Sequence, residues 1–381
     1  LFVYFGVALL STMLSGAGRA VRGSAVGRPA VLSRLGHRLA GSNDARHRRW
    51  NAFDVAIVVV LVSFSALRYN VGTDFQIYAL NFAQIQPEYW QYYLARSPLE
   101  GGYTVLSIAV RAISADPFAI FWVSSALTVI PAYVGIKKLS RDPTLSIFLF
   151  ITLAFYVAPF NAIRQGIAVS LVFWASTFIG RKTWLFICVS LLATTFHLTA
   201  LFAAVILLAA RRWRPTTAQA VGALIAACGL AVVIRFGSVK ALIDSVVPQY
   251  GQYAEANAAG VGSYLVLAVK LVLLFVVLHL LVRSDETGGS TDDARHAGYV
   301  AIGLAFLVIG TQYLVISRME MYFGIFLIVL IPNAIARQDV SPASRTLKRA
   351  AVVIVAIVFF AAYLGNYGEL LPYRISLSQT W

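Results

Sequence analysis

The sequence predicts an all-α polytopic membrane protein of about twelve transmembrane helices, with a further helix lying on the outer face. Three observations carry that reading. Hydrophobic residues make up 59% of the 381 and charged residues only 12%, at a mean hydropathy of +0.77, a balance foreign to a soluble domain of this size. The apolar residues fall into successive runs separated by short polar segments. The basic residues, which bring the net charge to +15, gather between those runs, so they report topology and not a nucleic-acid partner. Cys188 and Cys228 both lie inside apolar runs, which argues against a disulfide framework or a cysteine metal site. There is no glycine-rich phosphate loop, no nucleotide fingerprint and no Asp/Glu/His cluster with metal spacing, so neither cofactor nor metal is expected. The whole chain, 1–381, reads as one integral membrane domain.

In order, the chain begins with Leu1 where Met is expected, as a literally translated alternative start codon would give, which points to a bacterial source. Leu1 to Leu14 is a short apolar run, a marginal span or a signal-like segment. Residues 16–50 carry eight arginines and one acid, Asp44, and form a basic cytoplasmic loop. Phe53–Leu67 crosses outward into an outer loop, 68–117, where Tyr89, Trp90, Tyr92 and Tyr93 form an interface-like belt. Within it, Gly102–Ser114 resembles a span but has 13 residues and carries Arg111. Counted as a crossing, it would put Lys137, Lys138 and every later basic loop outside. It is therefore expected to lie on the outer leaflet.

The remaining runs then alternate: Phe118–Ile136 inward, Thr144–Val157 outward, Ile167–Ile179 inward, Trp184–Phe196 outward, Leu198–Ala210 inward and Thr217–Ile234 outward. An outer loop at 237–262 follows. Tyr264–Val282 runs inward, Tyr299–Ile316 outward, Met321–Ala336 inward and Ala350–Leu364 outward. On this layout the cytoplasmic loops hold 22 of the 31 Lys and Arg, and the outer segments hold eight; Lys270 lies within a span. That asymmetry supports both termini outside.

Two outer tips stand out. Trp184 to Ala210 is 27 residues and must cross twice, so each leg reaches ~20 Å at 1.5 Å per residue, against a hydrocarbon core of ~30 Å. The tip at Phe196-His197-Leu198-Thr199 should thus sit below the outer surface, in a cavity. The other tip, Pro159 to Ala168, carries Arg164 between apolar runs, and an arginine at membrane depth is a functional site by default. If Pro159 opens the helix, Asn161, Arg164 and Gln165 share one face, and the helix N-terminus and arginine together make an anion site. The plain alternative is a snorkelling arginine.

Other candidates surround these tips. Asp74 and Tyr78 stand one turn apart; Asp74 can act as a general base or, with Thr73, cap a helix from Phe75 and pair with Arg68. Glu100 is a second outer carboxylate with the same ambiguity. His197 is either a structural or a proton-transferring histidine, whereas His279 is bland. Arg318, a turn before Tyr322, is a second anion ligand or an interfacial anchor. Arginines 68, 164 and 318 together suit a phosphate or pyrophosphate group near the outer leaflet. Pro248, Gln249, Tyr250, Tyr253 and Asn257 give the later outer loop a composition suited to carbohydrate.

Three stretches together resemble the EpsG family of Wzy-like polysaccharide polymerases. They are Arg68-Tyr69-x-Val71-Gly72-Thr73-Asp74-Phe75-x-x-Tyr78 with Glu100-Gly101-Gly102-Tyr103, then Asn161-x-x-Arg164-Gln165-Gly166-x-Ala168, then Phe196-His197-x-Thr199-Ala200. Arg318-x-x-x-Tyr322 and Pro372-Tyr373 are similar to weaker family features. The resemblance covers most of Phe53 to Tyr373 and departs at Gly101, where the family often has proline. The layout also looks like a GT-C membrane glycosyltransferase, by analogy of fold alone.

The resemblance implies polymerisation of polyprenyl-pyrophosphate-linked oligosaccharide repeats at the outer leaflet of a bacterial plasma membrane. Catalytic roles would fall to Arg164 at the departing pyrophosphate and to a base, Asp74 first with Glu100 and His197 in reserve, and substrate binding to Arg68, Tyr78, Asn161, Gln165, Arg318 and Tyr322. The expected partners are the lipid-linked substrates, membrane lipids, a flippase and a chain-length regulator, with no nucleic acid. The rivals are a GT-C monosaccharide transferase using a polyprenyl-phosphate sugar and a lipid-linked oligosaccharide flippase. A flippase needs inverted halves around a midplane site, and no internal repeat is visible.

Overall fold

The structure, a computed structural model, describes residues 50–97, 99–236, 261–285, 291–312, 314–337 and 341–376. The Leu1–Leu14 run and, but for Trp50, the 16–50 basic loop lie outside them, as do residues 237–260 of the later outer loop. Among the described residues there is no strand, only an isolated bridge between Arg68 and Ile375.

The helices are α1 (Ala52–Ala66), α2 (Phe75–Gln84), α3 (Trp90–Arg96), α4 (Gly101–Ile113), α5 (Phe118–Leu139), α6 (Pro143–Thr152), α7 (Ile163–Ser176), α8 (Thr183–Phe196), α9 (Thr199–Ala209) and α10 (Thr217–Phe236). After the later outer loop come α11 (Val261–Asp285), α12 (Thr291–Ile309), α13 (Leu314–Ser317), α14 (Glu320–Gly324), α15 (Leu327–Arg337) and α16 (Pro342–Asn366). Four stretches are long and apolar enough to cross a membrane alone: Phe118–Leu139, Thr217–Ile234, Glu320–Arg337 and Pro342–Asn366. The apolar side chains of Phe202, Val232, Ile354 and Val358 stay exposed, as they do where lipid is the solvent. The chain is a membrane protein.

Several expected crossings form short helices. The Thr144–Val157 run is helical only as α6, then turns through Ala154 at φ +68° into a 3-10 turn, Ala158–Asn161. Trp184–Ala210 becomes α8 and α9, of 14 and 11 residues, or roughly 21 and 16 Å long. Both outer tips therefore stop short of the ~30 Å that a full crossing needs. The Tyr299–Ile316 run breaks after Ile309 into a turn and the short α13.

Contacts at the two ends of α1 and α5 decide which segments share a side. Asn51 and Asp54 cap α1 reciprocally at 2.9 Å. Asp54 also takes hydrogen bonds from Tyr133 (2.7 Å) and, as a buried ion pair, from Lys137 (3.0 Å) near the end of α5. At the opposite end Ser125 donates to Ser65 at 2.8 Å, and Phe75 stacks on Phe121 at 4.5 Å. The two helices are antiparallel, so residues 68–117 leave and return at one end of the bundle. α4 does not cross.

Its register fits that placement. Tyr103, Thr104, Ser107 and Val110 are buried against the protein, while Val105 and Ile113 are exposed. The Lys137 end also gathers Asp142 with Arg349, and Asp293 with Arg337 (2.6 Å) and Asn333 (2.9 Å). The charged residues here come from segments expected on the basic side, and Asn333 from the end of a run expected to lead there.

Removing one partner of a buried pair strands the other charge, at a cost of about 3–5 kcal/mol. Asp54→Ala is expected to lower the unfolding midpoint in detergent sharply, and adding Lys137→Met should restore most of it. Thermal unfolding of the three proteins checks this.

Candidate active site

At the other end, one carboxylate joins three distant segments. Glu100 precedes α4, in the extended conformation (φ −61°, ψ 143°), and directs its side chain across the outer tips. Its Oε1 lies 2.7 Å from His197 Nδ1, and its Oε2 accepts from Arg164 Nη1. Arg164 Nε donates to Tyr78 Oη at 2.7 Å. Arg164, Glu100 and His197 keep about a quarter of their side-chain surface open. With Nδ1–H donating to Glu100, the imidazole presents Nε2 as a free acceptor.

Arg164 does not stand on the helix face expected from the sequence. Pro159 begins a 3-10 turn, not a helix, so Asn161 lies outside α7 and the helix starts at Ile163. Arg164 then turns toward Tyr78 and Glu100, while the next residue, Gln165, turns to donate to the Arg318 carbonyl at 2.8 Å. Asn161 is wedged between two glycines in the left-handed region, Gly72 (φ +86°) and Gly368 (φ +58°). A Cβ at either would fall within 2.7 Å of the Asn161 side chain, whose Oδ1 accepts from Thr73 N at 2.8 Å. Asn161 thus fastens the first outer loop and the C-terminal segment to the Arg164 tip.

Asp74 does not cap α2, where no side-chain cap is made, and it forms no ion pair with Arg68. The backbone at Ile163, where α7 starts, favours the charged form of the Asp74 carboxylate. Burial raises its pKa above the ordinary carboxylate value, against the pull of Arg318 and Arg164.

Arg318 is exposed and, among the described residues, makes no ion pair. It lines a largely apolar cavity of about 290 Å3 with Phe155, Phe359 and Tyr363. Tyr322 is buried, with Oη 3.1 Å from Thr199 Oγ1, and so braces the His197 tip.

Arg68 alone among the candidates is turned away from this cluster. It is 2% exposed, sandwiched between the rings of Phe121 (4.9 Å) and Phe160 (4.6 Å), and donates to Ser65. Its place is in the scaffold.

The sequence reading missed the partner of Lys270. Lys270 and Glu320 form a buried pair at 2.7 Å on the wall of the Arg318 cavity. The signal was available: a lysine inside an apolar run needs an acid, and Glu320 follows Arg318 by two residues.

A model of the EpsG family matches residues 51–375, more than four-fifths of the chain. No curated protein and no solved structure matches the chain.

The departure at Gly101 has a physical account. Nothing lies within 4 Å of a Cβ there, the position opens α4, and Glu100 already holds the backbone angles that a residue before proline adopts. At Gly102 a Cβ would sit 2.2 Å from Thr195 Oγ1. Gly101→Pro should stabilise by ~0.4–1 kcal/mol, and Gly102→Ala should destabilise by about 1–3 kcal/mol. Unfolding in detergent reads both.

Proposed function

The chain belongs to the EpsG family, and from that premise we propose that it polymerises polyprenyl-pyrophosphate-linked oligosaccharide repeats into an exopolysaccharide or capsule at the outer leaflet of a bacterial plasma membrane. The observation that carries this reading is the convergence of Glu100, Arg164, His197 and Tyr78 at one end of the bundle, beside the exposed Arg318 and an apolar cavity. A lipid-linked donor needs this combination: cations for its phosphates and an apolar wall for its chain.

The acceptor hydroxyl attacks the anomeric carbon of the donor sugar, a new C–O bond forms, and the bond from that carbon to the pyrophosphate oxygen breaks. The hydroxyl proton passes to His197 Nε2, with Glu100 holding the ring through Nδ1. Arg318 and Arg164 stabilise the charge growing on the departing pyrophosphate, electrostatic work of the kind an oxyanion hole performs. Gln165 fixes the Arg318 backbone, and Asn161 and Tyr322 position the tips. The lipid carries the activated sugar, so the proposed reaction uses no cofactor. A flippase would deliver the repeats and a chain-length regulator would set how many are joined.

A second reading keeps Glu100 and His197 as positioning groups and makes Asp74 the base. Its raised pKa, caused by burial, favours it. Purified protein with lipid-linked repeats separates the two. The true base should lose ~10²–10⁴-fold in kcat on neutral replacement, His197→Gln or Asp74→Asn, and the other residue much less.

The wider reading is tested in a strain lacking the gene, complemented with wild type, Arg164→Ala or Arg318→Ala. Single lipid-linked repeats should accumulate with either variant, without long polymer, and mass analysis of the lipid fraction reads this. Truncated repeats lacking one sugar would indicate a monosaccharide transferase, and complete repeats held on the cytoplasmic face a flippase.

A further inference from the structure

The outer loop lines another cavity, with Tyr78 in its wall. It measures about 220 Å3 and lies among α2, α3 and α4, outside the long helices. The rings of Tyr92 and Tyr93 line it with the Asn81 and Gln84 amides and with Arg96, whose guanidinium lies 5.3 Å from the Tyr92 ring centre. The Thr104 and Ser107 hydroxyls there donate within the protein and keep acceptor capacity. No carboxylate lines it. Aromatic planes suit the C–H face of a sugar ring, and amides and hydroxyls match its edge of alternating donors and acceptors. The volume takes one ring and not a lipid chain.

Its position ties it to the reacting groups. The Tyr78 ring forms part of its wall, and the hydroxyl of the same residue accepts from Arg164 Nε at 2.7 Å. Leu99 lines it too, and the next residue, Glu100, holds His197. A ring seated here would be one residue's length, through Tyr78 or Leu99, from the Arg164 and Glu100 cluster. The walls of both cavities are more apolar than polar, and that of the outer loop sets Arg96 and side-chain amides among its tyrosine rings.

We infer that the outer-loop cavity is the acceptor subsite, holding the terminal pyranose ring that receives the new bond, while the lipid pyrophosphate of the donor leaves on the Arg318 side. This rests on the polymerase reading for its chemistry, but binding tests it separately.

Tyr92 is exposed and Asn81 half-buried, so both can be replaced without opening the core. The probe is the set of oligosaccharides released by mild acid from the polysaccharide of the source strain. It would be titrated against the full chain in nanodiscs, by calorimetry. Wild type and Arg318→Ala should bind with similar affinity, and Tyr92→Ala with Asn81→Ala at least tenfold more weakly. With lipid-linked repeats as donor, the double variant should raise KM for the free oligosaccharide and leave the donor KM unchanged.

Wild type that fails to bind the oligosaccharides, equal binding by the double variant, or a rise confined to the donor KM would each overturn the assignment. Failure of the polymerase reading shows differently, as normal polymer in the strain that lacks the gene.

Discussion

The outer end of this protein depends on one carboxylate with two cationic or proton-bearing neighbours. Glu100 is separated from Arg164 by 64 positions and from His197 by 97, and it touches both. Three segments that could otherwise move independently are thereby held in one arrangement: the loop before α4, the N-terminus of α7 and the turn between α8 and α9. In a partly desolvated site an arginine left without its acid is costly, and so is an acid without its donors. The group therefore works as a unit. Arg164 steadies Glu100, Glu100 orients the imidazole, and Tyr78 takes the remaining direction of the guanidinium. Each has its geometry set before any substrate arrives, which is the condition for electrostatic catalysis.

Around that unit much of the recognisable sequence is scaffold. Arg68 is clasped between Phe121 and Phe160, and Tyr373 stacks on Phe64 at 4.2 Å, so the C-terminal segment closes over the start of the first outer loop. Tyr69 N donates to the Arg374 carbonyl at 2.9 Å, and Gly72 N to that of Glu369 at 3.2 Å. Asn161 can enter only because Gly72 and Gly368 lack side chains. Gly166 permits a similar close approach within α7, where a Cβ would meet Pro159 at 2.5 Å. Residues that share a motif thus do different work. Some meet in the Glu100 cluster, and others make the close approaches that let those residues meet.

That division explains what the sequence could and could not disclose. Hydropathy and the sparing use of charge marked the membrane class, because the cost of burying charge acts on every segment alike. The family motifs singled out Glu100, Arg164 and His197. The orientation of Arg164 was not legible, since it turns on whether Pro159 starts a helix or a 3-10 turn, a difference of one hydrogen-bond register. Nor was the burial of Arg68. An arginine in a polar outer segment looks free until Phe121 and Phe160, far along the chain, come to lie on its two faces. The pairing of Lys270 with Glu320 needed the same long-range knowledge.

The contrast between the two ends bears on the choice between reacting with a lipid-linked sugar and carrying it across. A carrier must open alternately to both sides. Here the basic end is tied by Asp54 with Lys137, Asp142 with Arg349 and Asp293 with Arg337. A cavity of about 450 Å3 does lie there, lined by the first two pairs. Between it and the outer site stand Tyr156, whose hydroxyl donates to the Leu61 carbonyl at 2.6 Å, and the ring of Phe160 packed edge-on against it at 5.6 Å. Passage of a sugar would require those buried rings to separate and a layer of ion pairs to lose its partners together. The outer site needs no such change. Its cations, carboxylate and histidine already meet beside two cavities, both lined at that same end of the bundle.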